Sequence, residues 1–244
     1  IGATPLDPMP VIAQMVGARR FLYFQKYLRA ELDFQRDLSE RLAQTPASIQ
    51  PDWPRIVRDV QGGQSLPLDP DPQRALDAAL AQNFAIISGG PGTGKTSIVL
   101  TLLRCLMRGG CAVDRIALAA PTGRAAQRLT DSLRAGLDRL SVPDEADVKL
   151  RDLAASTLHQ LLGYRSTQNL FSRHRENSLP ADVVIVDEVS MVGLVLMSQL
   201  LQALTPTAKL ILLGDKDQLP SVDAGAVLAH LVETDKSLAD RVVL

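Results

Sequence analysis

The chain holds 244 residues, 46% of them apolar, with 26 basic against 27 acidic side chains and a formal net charge of −1. That length suffices for one large buried core, or a large one with a small companion, and the composition is that of a soluble globular protein rather than a disordered or fibrous one. No apolar run is long enough to span a bilayer, and near-neutral charge excludes a global field for nucleic acid, so such a partner would need local basic features.

Ile1 opens no signal-peptide pattern, and without an initiating methionine the expectation is a fragment or a processed start. Cys105 and Cys111 lack metal-ligand spacing, and Cys105 falls on the apolar side of a predicted helix. Both read as small core residues of a reducing compartment, which points to the cytoplasm.

Residues 1–65 differ in texture from the rest. They hold Phe21, Tyr23, Phe24, Tyr27, Phe34 and Trp53, and Leu22 to Leu42 carries a helical apolar stripe with charges outside it. We read a small, mostly helical N-terminal domain for packing or partner docking. Gln61-Gly62-Gly63-Gln64-Ser65, followed by Pro67, Pro70 and Pro72, makes a linker, and 66–244 is expected to form a second domain.

That domain starts with a predicted helix, Gln73 to Gln82, and the apolar strand Phe84-Ala85-Ile86-Ile87. The strand runs into Gly89-Gly90-Pro91-Gly92-Thr93-Gly94-Lys95-Thr96, which is G-x-x-x-x-G-K-[ST], the P-loop. A bend with four glycines costs backbone entropy, and Lys95 puts a cation at a helix N-terminus, where the macrodipole disfavours it. A bound polyphosphate reverses both penalties: backbone N–H groups from Gly92 to Thr96 converge on phosphate oxygens, Lys95 reaches the β- and γ-phosphates, and the Thr96 hydroxyl ligates magnesium.

A helix follows to about Arg108, stopped by Gly109-Gly110, then a strand Arg115 to Ala120 and a helix Gly123 to Leu140. Ser141 to Asp152 is polar, a short helix covers Thr157 to Leu162, and Tyr164 to Pro180 reads as a loop. The strand Val183 to Val186, a helix Leu194 to Leu204 and the strand Lys209 to Leu213 complete the pattern. Strands alternating with helices, several apolar end to end, predict an α/β fold: a parallel sheet with helices on both faces.

Ligands of open α/β sheets gather at the carboxyl ends of the strands. Asp187 and Glu188 end the third strand, where Asp187 would hold magnesium and Glu188 would orient or deprotonate the attacking water. Gln218, beyond the fourth strand, suits water positioning or sensing of the γ-phosphate. The bland alternatives are a solvated turn at the acids and an ordinary charged turn at Gln218.

Four blocks in fixed order carry a family resemblance. Gly89 to Ser97, Ala120-Pro121-Thr122-Gly123-Arg124-Ala125-Ala126-Gln127-Arg128-Leu129, Asp187-Glu188-Val189-Ser190-Met191 and Gly214-Asp215-Lys216-Asp217-Gln218 resemble motifs I, Ia, II and III of superfamily 1 DNA helicases. Ser156-Thr157-Leu158-His159-Gln160-Leu161-Leu162-Gly163 is similar to a block of the RecD-like members. The resemblance covers about Leu66 to Leu231.

It implies a RecA-like P-loop domain using ATP and Mg2+. The nucleotide would be held by Gly90, Pro91, Gly92, Thr93, Gly94, Lys95, Thr96 and Ser97, with Gln73 on adenine. Thr122, Gly123, Arg124, Thr157 and His159 would lie along single-stranded DNA. RecB/RecC-like subunits are the expected partners, through the N-terminal domain. Such motors complete their site with a second domain carrying an arginine finger, whose loss costs about three to five orders of magnitude in rate. No later motif follows by Leu244, so the chain alone is expected to bind nucleotide and hydrolyse it feebly. No helix-hairpin-helix signature occurs near the N-terminus, which leans toward the RecBCD-type subunit over a stand-alone helicase. A P-loop kinase or GTPase is disfavoured by the lack of Asn-Lys-x-Asp, and a nucleotide-binding subunit without motor activity is the remaining alternative.

Overall fold

The computed structural model describes residues 2–44, 51–62, 68–90, 92–215, 217–218, 227, 231 and 242–243. Pro91 and the linker around 63–67, both singled out in the sequence, lie outside the described residues. The N-terminal part opens with an antiparallel hairpin, β1 (Val11–Val16) and β2 (Arg19–Phe24), turned at Gly17 with φ +60°. The sequence reading missed it. The helical stripe expected from Leu22 begins only at α1 (Gln25–Ala43); a short aromatic run fits either period, and pairing with Val11–Val16 decides for strand.

After α1 come α2 (Trp53–Gly62) and α3 (Pro70–Ala81), the latter with proline at its first position. The P-loop strand β3 (Phe84–Ser88) leads to α4 (Lys95–Arg108), then β4 (Ile116–Ala120) and α5 (Gly123–Asp138). The polar stretch beyond it contains α6 (Glu145–Leu150), opened by a capping box between Asp144 and Asp147. Next are β5 (Ala155–Thr157), α7 (Leu158–Leu161) and a small antiparallel pair, β6 (Tyr164–Arg165) with β7 (Leu170–Phe171), inside the segment expected to be loop. The run ends with β8 (Val183–Val186), α8 (Leu194–Ala203), β9 (Lys209–Gly214) and β10 (Val242–Val243).

Six strands form one parallel sheet in the order β10-β3-β9-β8-β4-β5. Side chains alternate across it with period two. Phe84, Ile86, Val184, Val186, Leu210 and Leu212 enter one core with Phe34 and Leu38 of α1 and Met197, Leu200 and Leu201 of α8. Ala85, Ile87, Val183, Ile185, Ile211 and Leu213 enter the other, with α2, α3, α4, α5 and α6. Burial on both faces is why these strands read as unbroken apolar runs.

The N-terminal helices are tied to the sheet domain by polar contacts as well. Arg41 of α1 donates to the carbonyls of Thr205, at 3.0 Å, and Ala208, and Asp37 accepts from Arg36 and Arg175. Cys105 is buried and Cys111 half-buried, both free thiols, with burial pushing them up to about 12 and about 11. Among the described residues no helix is long and apolar enough to cross a membrane.

Candidate functional site

Strand order lays the candidate residues out along one edge of the sheet. The carboxyl ends of β3, β9, β8, β4 and β5 are adjacent, with Ser88 beside Gly214, Val186 beside Leu212, Ala119 beside Val186 and Ala120 beside Thr157. The residues that follow each strand therefore line up in that order: the P-loop, Asp215, Asp187-Glu188, Thr122-Gly123 and Leu158. Four strand spacings, about 19 Å, separate the two ends of this rim.

At the first end, the Gly89 N–H still donates to the Gly214 carbonyl at 3.1 Å, so the loop leaves β3 only after that bond. Gly92 and Gly94 both hold φ +80°, a left-handed backbone that L side chains rarely adopt. Gly94 is the N-cap of α4 and offers no side chain to its first N–H groups, which leaves those donors to an external acceptor. A Cβ built on Gly90, Gly92 or Gly94 meets nothing within 4 Å, whereas at Gly89 it would lie 2.6 Å from the Thr93 hydroxyl oxygen. The loop is thus closed behind by Thr93, whose hydroxyl donates to the Gly90 carbonyl at 2.9 Å, and open in front. Lys95 folds across it, its Nζ donating to the carbonyls of Gly90, at 2.9 Å, and Gly89. Thr96 and Ser97 fill the first turn of α4, Thr96 half-buried and Ser97 exposed. This donor set, a glycine bend with open N–H groups, a lysine and a hydroxyl, fits a polyphosphate with its metal.

In the middle of the rim, the Asp187 N–H donates to the Ala119 carbonyl at 2.9 Å, extending the β8–β4 ladder by one residue. The Asp187 carboxylate accepts the Glu188 N–H at 2.9 Å. Burial pushes this carboxyl above its ordinary value; the Glu188 N–H, Lys95 and Arg128 pull it back, while the Glu188 charge adds to the rise. Glu188 holds φ 54° and ψ 41°, a left-handed conformation that strains a side chain this size. Its Oε1 lies 3.4 Å from Nη1 of Arg128.

Asp215, buried at the end of β9, accepts the Asp217 N–H at 3.0 Å and anchors the turn on which Gln218 stands exposed. Gln73 lies on α3, its Oε1 accepting from Gln61 and its Nε2 donating to Asp77 at 2.8 Å.

At the far end, the Thr122 hydroxyl caps α5 by accepting the Ala125 N–H at 3.2 Å, and Gly123 and Arg124 are exposed beside it. A Cβ on Gly123 would lie 4.0 Å from the Thr157 methyl, so these two predicted DNA positions are neighbours. Thr157 caps α7 in a capping box with Gln160. His159 is exposed and sits in a ring cluster, 5.3 Å from Tyr164 and 6.0 Å from Phe171 between centroids.

Three features escaped the sequence reading. Nothing local in the sequence marks the partner of Arg128, which is 60 positions away. Asp215 carries the same local signal as Asp187, an acid directly after a buried strand. The rings of Tyr164 and Phe171 fell in a presumed loop, and two-residue strands leave no periodicity to read.

Residues 72–224 match the family described as AAA domain, and a RecBCD enzyme subunit RecD of Mycolicibacterium smegmatis is 40% identical over 96% of this chain and 41% of its own length. The chain belongs to the AAA domain family, and its sequence is RecD-like. An ATP-dependent RecD2 DNA helicase of Deinococcus radiodurans is 33% identical over 96% of this chain and 29% of its own length. Among solved structures, the Pif1 helicase of Candida albicans superposes with a TM-score of 0.42 at 21% identity, over 64% of this chain and 34% of that one. The chain thus spans well under half the length of these curated relatives. In this RecD-like chain, the described residues of all five blocks that carry the resemblance start at the carboxyl rim of one sheet.

Proposed function

We propose that this chain is the ATP-binding motor domain of a DNA helicase, coupling ATP hydrolysis to translocation on single-stranded DNA and duplex unwinding in recombinational repair, as a subunit of a RecBCD-type helicase–nuclease. The observation that carries this reading is the ordered rim: phosphate cradle after β3, acidic pair after β8 and helix-capping threonines after β4 and β5, all at the carboxyl ends of one sheet. ATP with Mg2+ supplies the phosphoryl group whose transfer to water drives the motor. Gly90 to Ser97 hold the phosphates, with Lys95 turning from the loop carbonyls to the β- and γ-phosphates. Thr96 and Asp187 would hold the metal, Glu188 would orient or deprotonate the water, Gln218 would position that water or sense the γ-phosphate, and Gln73 would contact adenine. Thr122, Gly123, Arg124, Thr157 and His159 take the DNA backbone, where loop N–H groups and a helix start suit phosphate contacts.

We assign 1–65 to an N-terminal domain and 66–244 to the first motor domain. Met15, Phe21, Leu22 and Phe24 expose apolar surface on the N-terminal hairpin, which RecB/RecC-like partner subunits would cover. The working compartment is the cytoplasm, with the DNA. A stand-alone helicase is the second reading, favoured by the Deinococcus relative; the higher identity to the RecBCD subunit supports the first.

The test uses the full-length protein carrying this chain. Lys95→Ala removes the cradle's side-chain cation, and ATP affinity and DNA-stimulated hydrolysis are expected to be lost together. Unchanged ATP hydrolysis in Lys95→Ala would refute the assignment, and wild-type hydrolysis indifferent to DNA would leave a nucleotide-binding subunit without motor activity.

A further inference from the structure

The ion pair between Arg128 and Glu188 joins the middle of the rim to the helix that starts at its far end. Arg128 lies on α5, the helix that starts at the proposed DNA loop, and Nη1 reaches Oε1 of Glu188 at 3.4 Å. One helical turn nearer the loop, on the same face, Arg124 is exposed and has no ion-pair partner among the described residues. The Glu188 backbone is fixed by its left-handed conformation and by the bond from its N–H to Asp187. What remains free is the direction of its carboxylate, and Arg128 draws that toward α5, on the side of the DNA loops. Side-chain exposures of 65% for Arg128 and 31% for Glu188 make this a weak pair, open to competition.

We propose that Arg128 is a positioning residue that makes hydrolysis answer to DNA. Without DNA it holds the Glu188 carboxylate turned toward α5, with a lone pair committed to the guanidinium. A backbone phosphate of single-stranded DNA, seated at Thr122–Arg124 within a turn of Arg128, accepts the guanidinium instead. A polyanionic strand competes well for it, because guanidinium and phosphate match in charge and geometry. Glu188, released, turns to the water at the cradle. DNA thus shifts the equilibrium through an interaction that only the released arginine makes. This rests on the roles proposed above for Glu188 and for the Thr122 loop.

The experiment measures ATP turnover of the full-length protein with and without an oligo-dT strand, in wild type, Arg128→Ala and Arg128→Lys. Arg128→Ala is expected to raise the DNA-free kcat by about two- to fivefold, the factor an exposed ion pair can hold back. Its ratio of DNA-stimulated to basal kcat falls toward one, with KM for ATP unchanged, and Arg128→Lys restores part of the DNA dependence. A DNA-free kcat at or below the wild-type value in Arg128→Ala overturns the proposal, whether stimulation persists or is lost through weaker DNA binding. A wild-type protein whose turnover ignores oligo-dT overturns the motor reading, and the latch falls with it; stimulation that survives intact in Arg128→Ala overturns the latch alone.

Discussion

Arg104 and Asp147 face each other inside the protein as a bidentate pair, Nε to Oδ1 at 2.7 Å and Nη2 to Oδ2 at 3.1 Å, with both side chains almost wholly out of water. Arg104 also donates to the Val60 carbonyl at 3.2 Å, and Arg108 adds a contact to Asp147 at 3.1 Å. One carboxylate therefore ties α6 to α4, the P-loop helix, and through Arg104 to α2. Removing one member leaves a buried guanidinium uncompensated, so Asp147→Ala is expected to cost about 3–5 kcal/mol. Urea unfolding of the variant against wild type measures it; a loss no larger than that of an exposed ion pair would contradict the role.

The same carboxylate makes stability depend on acid. Burial alone would push Asp147 up, but hydrogen bonds from Arg104 and Arg108 and from the Asp144 backbone N–H hold it at about 2, against an ordinary value of 3.8. The unfolded chain therefore binds this proton first as pH falls. The stabilisation is complete above about pH 4 and is lost between about pH 4 and 2, amounting to about 2 kcal/mol. Asp147→Asn should flatten this part of the unfolding free energy against pH. A variant as steep as wild type in that window would place the titrating group elsewhere.

Lys209, the first residue of β9, closes the end of α3: its Nζ donates to the carbonyls of Ala79 at 2.7 Å, Leu80 at 3.0 Å and Gln82. Two of these belong to the last turn of the helix, whose carbonyls lack intrahelical donors. Lys209→Met keeps the bulk and removes the donors, and a loss of about 2 kcal/mol is expected from the unsatisfied carbonyls. Thermal unfolding checks this; an unchanged Tm would mean that water replaces the lysine.

Much of this was legible because two physical constraints write themselves locally. Strands buried on both faces must be apolar throughout, so Phe84–Ser88, Val183–Val186 and Lys209–Gly214 announced themselves. A phosphate loop needs a left-handed backbone, so Gly92 and Gly94 stand where φ is +80°. What stayed hidden depends on distant pairing. That β9 lies between β3 and β8 is a property of the assembled sheet, and it sets the order of the rim. β5 has three half-buried residues and becomes a strand only by pairing with β4. Asp147 sat in a stretch read as polar, although Asp144 and Asp147 at cap spacing signalled the start of α6. The Arg128–Glu188 contact spans separate blocks that motif reading treats one at a time.

Gln73 gives the sharpest test of nucleotide identity. Its amide is engaged at both ends, Oε1 with Gln61 and Nε2 with Asp77 at 2.8 Å, which fixes which atom accepts and which donates. A glutamine reading adenine accepts from the N6 amino group and donates to N7, whereas guanine presents an acceptor, O6, in place of that amino group. Such a contact would favour ATP over GTP by orientation as well as affinity, and Gln61 would compete with the base for the accepting atom. In the full-length protein, Gln73→Ala is expected to lower kcat/KM for ATP by about ten- to a hundredfold, the range of one bidentate base contact, while leaving kcat/KM for GTP unmoved. Gln61→Ala frees the Gln73 acceptor without touching the base, so its KM for ATP should hold or fall. Equal losses for ATP and GTP in Gln73→Ala would show that the residue supports α3 rather than reading the base.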